Sequence, residues 1–110
     1  IDCAEIYVPF SWYEPMWLEN LGFCELGEGW KLTDDGVTRL DGSLPVNMSG
    51  GVLSSNPIGA SGMIRFGEAA LQVMGLAEDH QVEDANIAMG HAYGGAAQFF
   101  AMWIVSSSKN

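Results

Sequence analysis

The residues best placed to do chemistry lie between Val46 and Gly62, in the run V-N-M-S-G-G-V-L-S-S-N-P-I-G-A-S-G. Gly50, Gly51, Gly59 and Gly62, with Gly67 one turn on, alternate with small hydroxyl residues and are interrupted by Asn56-Pro57. Glycine permits positive φ and close backbone approach, so the run predicts a strand end, a tight loop and a helix N-terminus. Such a junction points bare backbone N–H groups outward, where a carbonyl oxygen, a thioester or a phosphate can be held, with Gly50, Gly59 and Ser61 as the candidate binding residues. Small residues at a helix start also serve simply to let the helix lie close to a sheet, and composition alone favours that reading.

The elements that must position this junction can be read from periodicity. Ile1–Phe10 alternates as a strand, with Cys3, Glu5 and Tyr7 on one side and Ala4, Ile6 and Val8 on the other, and Pro9 ends it. Ser11, with Glu14 three residues on, predicts a capping box for a helix that stops at Gly22. Residues 25–45 lack helical periodicity and carry the turn signals D-D-G and D-G-S, so they are expected to form a long surface loop, with room for a short hairpin at Asp35-Gly36. From Gly62 to Met74 runs a helix whose apolar positions cover two adjoining faces, with only Arg65, Glu68 and Gln72 polar, which predicts burial on more than one side. Gly75 closes it, and His80 falls in a polar connection as a solvated loop residue. Two apolar runs, 85–90 and 97–105, are expected to pair as antiparallel strands about the glycine-bearing turn H-A-Y-G-G-A, the second as an interior strand.

Composition limits what the chain can do. A net charge of −10 with four Lys+Arg provides no electrostatic footprint for nucleic acid or an anionic membrane surface. Phosphate-bearing ligands would have to be held by backbone amides or by groups outside this chain. Two cysteines are too few for a secreted disulfide framework, and reduced thiols in a cytoplasmic protein are the expectation. No apolar run approaches the roughly 20 residues needed to span a bilayer, and no zinc spacing or nucleotide-binding glycine fingerprint is present. With 48% hydrophobic residues in 110, the chain carries more apolar surface than so small a domain readily hides, so residues 1–110 are expected to be one domain of a longer protein or of a complex.

The order of the motifs is more specific. S-S-N-P-I-G-A-S-G resembles the G-H-P-x-G-A-T-G motif of the thiolase family, with Asn56 where that motif has histidine, and N-M-S-G-G resembles the N-x-S-G-G upstream of it. A-E-I-Y-V-P-F resembles the x-E-x-N-E-A-F strand end, or the E-x-H-D-C-F form of sterol-carrier-type members. L-G-F-C-E-L-G-E-G resembles the L-G-x-C-x-x-G-E-G of that subgroup, and H-A-Y-G-G-A-A the H-N-x-G-G turn of archaeal and lipid-transfer-type relatives. The four matches occur in family order and cover essentially the whole chain.

This resemblance implies an α/β fold, a mixed sheet with a buried helix packed on it, forming the C-terminal part of a layered αβαβα sandwich. It implies an acyl-CoA acyltransferase of the lipid-transfer-protein type, with a coenzyme A thioester as substrate and no permanently bound cofactor. The family's water-ordering asparagine, activating histidine and proton-moving cysteine fall at Tyr7, Asn56 and His91, so all three are substituted. The nucleophilic cysteine belongs to the other half of the molecule, and neither Cys3 nor Cys24 takes its place. An Asn56 amide can donate a hydrogen bond but cannot accept a thiol proton. His91 titrates near neutrality in water and is expected to serve as general acid or base, with Tyr7 and Tyr93 as nearby phenols and the Tyr93 backbone N–H as an oxyanion donor. Two other readings follow from the substitutions: a retro-aldolase acting on a β-hydroxyacyl-CoA through tyrosine and histidine, and a non-catalytic acyl-CoA-binding or scaffolding subunit. Partners implied are the rest of a thiolase chain or a complementary subunit, in a homodimer or hetero-oligomer.

Overall fold

The computed structural model describes residues 1–108 as a three-layer α/β unit. A three-stranded mixed sheet has the order β1 (Cys3–Glu5), β2 (Ile87–Gly94), β3 (Phe99–Ser106), with β1 parallel to β2 and β2 antiparallel to β3. Helices α1 (Tyr13–Asn20) and α2 (Gly29–Asp34), a single turn α3 (Gly51–Ser54) and the long α4 (Ser61–Met74) lie between β1 and β2 in the chain. The period of two along each strand sorts the core into two clusters. Ala4, Ile6, Val8 and Met89 pack with Trp17 and Leu18 of α1, whereas Cys3 and Ala88 pack with Ala69 of α4 and with Val82 and Ala85. The helices therefore cover opposite faces of the sheet.

β1 is three residues long, and its outer edge is taken by the chain before the glycine junction. Ala4 N–H donates to the Pro45 carbonyl, Asn47 N–H to the Ala4 carbonyl, and Ile6 N–H to Asn47 Oδ1. Ile6 and Val8 are still fully buried, so the expected alternation continues past the strand. Its register on β2 is pinned at the start by Asp2, whose carboxylate accepts the N–H groups of Asn86 and Ile87 at 2.8 Å each. Those two hydrogen bonds hold the Asp2 carboxyl below the usual carboxylate range.

Several sequence expectations are corrected. Ser11 caps nothing with its side chain; α1 begins after Trp12, and Glu14 turns outward to accept a hydrogen bond from Thr33 Oγ1. The stop at Gly22 holds, with φ of 80° and its N–H on the Glu19 carbonyl. The supposed loop 25–45 contains α2, joined to α1 by the Glu19 carboxylate accepting the Gly29 N–H at 3.0 Å. The segment H-A-Y-G is strand rather than turn, and the hairpin turns at 95–98 instead. β3 is an edge strand, with Phe99, Phe100, Met102 and Ile104 exposed, not an interior one. His80 lies in a 3₁₀ turn (Glu78–His80), with Nε2 3.0 Å from Glu68 Oε2.

Helix α4 departs from expectation in phase. The stripe facing the sheet is Ser61, Arg65, Ala69 and Gln72, and the apolar residues Met63, Phe66 and Met74 are exposed. Gln72 is buried because it pairs backbone that would otherwise be orphaned: its Nε2 donates to the His80 carbonyl and its Oε1 accepts Val82 N–H. Small residues on β2 let α4 approach, since a Cβ on Gly62 would lie 2.9 Å from the Ala92 methyl. Gly90 leaves room for the indole of Trp103 directly across the β2–β3 pair, and a methyl there would overlap the ring. Gly90→Ala is therefore expected to cost about 1–3 kcal/mol, as overpacked sites do, read as a lowered melting temperature with a red-shifted tryptophan emission as the indole is displaced.

Candidate functional site

Because β1 and β2 run parallel, their C-terminal ends open at the same edge of the sheet, and the N-terminus of α4 is brought to that edge. Crevices at such ends are where open α/β sheets bind ligands. A cavity of about 490 Å³ occupies this edge, lined by Tyr7 from the end of β1, Ile58 to Gly62 from the glycine junction, and Ala92 to Ala96 from the β2–β3 hairpin. The loop after Asn56 and the end of β2 at Tyr93, distant in sequence, thus face one shared space.

Five of the sequence-predicted residues meet there, Tyr7, Gly59, Ser61 and Tyr93 as lining and Asn56 hydrogen-bonded to two of them. The Tyr7 hydroxyl donates to Asn56 Oδ1 at 3.3 Å, and Ser61 Oγ donates to the same oxygen at 2.6 Å. The rings of Tyr7 and Tyr93 meet edge-to-face with centroids 4.9 Å apart. Gly59, with φ of 93°, is a wall of the cavity in a conformation that side chains resist. Ala60 and Ser61 give their N–H groups to the Pro57 carbonyl and Ile64 to that of Ala60. Among the described residues the N–H groups of Gly62 and Met63, in the first turn of α4, find no backbone acceptor.

Tyr13, in the first turn of α1, also reaches the site, its ring 5.8 Å from that of Tyr93. Burial pushes the Tyr93 phenol up to about 12, reinforced by the neighbouring Tyr13 and Tyr7 hydroxyls. A phenol held that firmly is a proton donor, not a resting base. Tyr13, Ile58 and Ala92 were not singled out from sequence; Ala92 differs from an ordinary packing residue only in which cavity it borders.

Two predicted residues lie elsewhere. Gly50 caps α3 with φ of 89° and is remote from the cavity lining. His91 is one step deeper on β2, 3% exposed, its ring 4.7 Å from Trp17 and 6.4 Å from Phe100, and its Nδ1 has no partner among the described residues. Burial lowers its pKa to about 4, so the expected titration near neutrality is not what this environment gives. Cys3 is buried on the α4 side and its thiol is pushed up to about 11 by burial and by the nearby Glu5 and Asp2 carboxyls, which makes it inert as a nucleophile. Among the described residues no group of His, Cys, Asp and Glu forms a metal site.

An α/β unit with its cavity at the ends of parallel strands, walled by a glycine junction and a hairpin, is the class of protein this arrangement defines. The chain belongs to the thiolase C-terminal domain-like family, whose model matches residues 1–107. It is 42% identical over 107 residues to an acetyl-CoA acetyltransferase of Methanothermobacter thermautotrophicus, a match covering 96% of this chain and 28% of that protein. It is 37% identical over 100 residues to sterol carrier protein 2 of Rattus norvegicus, covering 88% of this chain and 18% of that one. Among solved structures it is similar to the Ltp2-ChsH2(DUF35) aldolase, with a TM-score of 0.84 and 29% identity over 99% of this chain and 28% of that chain. The chain thus spans less than a third of the length of these relatives.

His91 yields a pH signature. Its folded pKa lies below its ordinary value of 6.5, so the unfolded state binds more protons between the two, and stability falls as pH drops from about 6.5 to about 4. The loss attributable to His91 is expected to approach about 3 kcal/mol. Denaturant melts of the protein and of His91→Phe at pH 7 and pH 4.5 check this: the variant should lose distinctly less stability on acidification.

Proposed function

We propose that the complete protein cleaves a carbon–carbon bond in a β-hydroxyacyl-CoA by retro-aldol chemistry, with this chain contributing the two phenols and the amide of the reaction site. The observation that carries this reading is the Tyr7, Asn56 and Tyr93 constellation, in which the group at the family's histidine position is an amide engaged by Tyr7 and Ser61, two residues that line the cavity. An amide cannot take a proton from a thiol, whereas a phenol pair can move one between substrate atoms.

In this reading the Tyr7 oxygen takes the β-hydroxyl proton as the Tyr7 hydroxyl gives up its own toward Tyr93. The Cα–Cβ electron pair moves onto Cα and the thioester carbonyl, leaving a ketone or aldehyde at the former β-carbon. Main-chain N–H groups at the start of α4 and in the hairpin stabilise the enolate oxygen, because they are fixed in place before charge develops. Tyr93, whose proton is held up to about 12, then protonates Cα. Proton exchange between the two adjacent phenols restores the starting state, so atoms and charge balance without an external acid or oxidant. The solved aldolase that this chain resembles carries a DUF35 component in its name, and a subunit of that kind is the partner we propose.

Acyl transfer of the acetyltransferase type is a second reading, favoured by the 42% identity with a protein of that name. It requires a cysteine nucleophile from outside this chain. The two readings part on substrate. The first expects the full-length protein, with its partner subunit, to release a carbonyl compound and a shortened acyl-CoA from a β-hydroxyacyl-CoA without free CoA. The second expects CoA-dependent cleavage of a 3-ketoacyl-CoA instead. Under the first, Tyr7→Phe and Tyr93→Phe should each lower kcat by about 10²–10⁴-fold, the usual range for general acid–base groups, with a smaller change in KM. Unchanged turnover in both would exclude the phenols as proton carriers.

A further inference from the structure

Behind the cavity, on the α4 side of the sheet, lies a buried charge whose partners are drawn from the same three segments that build the site. Glu5 is fully buried, and its carboxylate accepts the Ser49 N–H at 3.0 Å, Ser49 Oγ at 2.9 Å and Arg65 Nη1 at 2.7 Å. Ser49 Oγ in turn accepts from Arg65 Nη1 at 3.1 Å and from the Gly51 N–H at 3.2 Å. β1, the start of the glycine junction and α4 are thereby joined at one point. A second join of the same three segments lies one turn away, beside the cavity: Tyr7 follows β1 by two residues, Asn56 lies within the junction, and Ser61 sits one turn before Arg65 on the buried stripe of α4. Along the helix the two joins are about 6 Å apart.

Stability alone does not account for this arrangement. A buried ion pair is roughly matched by an apolar pair of similar volume, and a well-packed leucine would suit the sheet-facing side of a helix at least as well. A charge with several directed hydrogen bonds differs from an apolar contact in fixing distances and angles. Ser49 is the member through which direction passes to the junction, since its hydroxyl and its N–H both bind Glu5 while it also receives the first N–H of α3.

We propose that Glu5, Ser49 and Arg65 form a positioning clamp that sets the Tyr7–Asn56 geometry of the reaction cavity. The inference rests on the retro-aldol reading for the meaning of that geometry, though not for the clamp itself. None of the three residues borders the cavity, so they act only through Tyr7, Asn56 and Ser61.

The test uses the full-length protein with its partner subunit, carrying 3-fluorotyrosine at position 7. Ser49→Ala removes the shared hydroxyl and leaves the Glu5–Arg65 pair, and Ser49→Thr restores a hydroxyl. Misplacement of a reacting group lowers kcat more than affinity, so Ser49→Ala should lose about tenfold or more in kcat with KM within about threefold, and Ser49→Thr should recover most of the loss. The ¹⁹F line of the labelled tyrosine should be single in the wild type and in Ser49→Thr, and shifted or split in Ser49→Ala. Either readout staying at its wild-type value in Ser49→Ala overturns the inference. If the wild type shows no retro-aldol turnover, the functional reading fails by itself and the ¹⁹F comparison alone decides the clamp. Should Ser49→Ala not fold, Arg65→Lys, which keeps the charge but not the shared contact to Ser49, is held to the same two readouts.

Discussion

The parallel pairing of β1 with β2 is the constraint on which the rest of the molecule depends. It matches Cys3 with Ala88 and Glu5 with Gly90, so the chain leaving β1 reaches Tyr7 just where β2 reaches Tyr93. A slip of one residue would move Met89, His91 and Tyr93 from the α1 side of the sheet to the α4 side and exchange every inward residue for its outward neighbour. Asp2 opposes that slip at the near end by holding two successive N–H groups of the partner strand. The segment through Asn47 opposes it on the other edge, and the same segment begins the glycine junction. Strand register and site geometry are therefore one property of this fold.

Much of this was legible in sequence where a local rule and a tertiary one agree. Glycine-rich punctuation located the junction, the start of α4 and its end at Gly75, because Gly50, Gly51, Gly59 and Gly75 take positive φ, which glycine adopts without a Cβ penalty. The joint placement of Tyr7, Asn56 and Tyr93 came from motif order, and the shared cavity follows that order. What sequence hid was phase and edge. The apolar excess on α4 shows that two faces are apolar without showing which one meets this chain's own sheet; here the polar stripe does, because Glu5 and the 3₁₀ segment require partners there. β3 reads as interior because Phe99 to Val105 is apolar on both faces, yet it forms an open edge. α2 escaped notice because G-W-K-L-T-D is too short to show a period and begins at a glycine whose N–H is satisfied by Glu19 from α1.

Those misreadings have a common physical origin. The exposed side chains Met63, Phe66, Phe99, Phe100, Met102 and Ile104 are the ones that would be expected inside, and they gather on α4 and the open strand. The chain spans less than a third of the length of these relatives, and the residues periodicity marks for burial on α4 and β3 are exposed. Periodicity reports the burial a residue is suited to, not the burial that this chain's own elements provide. The same argument applies to His91. Its position in the H-A-Y-G-G motif suggested acid–base chemistry, whereas its depth beside Trp17 and Phe100 keeps it neutral across the physiological range.

Electrostatics then divides the labour at the site. Among the described residues Arg65 is bound to Glu5, Lys31 to Glu28, and Arg39 lies beside Asp41, so the cavity is walled by neutral groups and main-chain amides. In such surroundings fixed N–H dipoles stabilise a single developing oxyanion well, because low polarity strengthens them and they need not reorganise. They are poorly suited to neutralising the several charges of a nucleotide phosphate against a chain of net charge −10. For the proposed thioester substrate, this chain therefore supplies the reacting end of the site. In that reading cationic contacts to the phosphates would come from outside this chain, which would separate the groups that choose the acyl carbon from those that anchor its carrier.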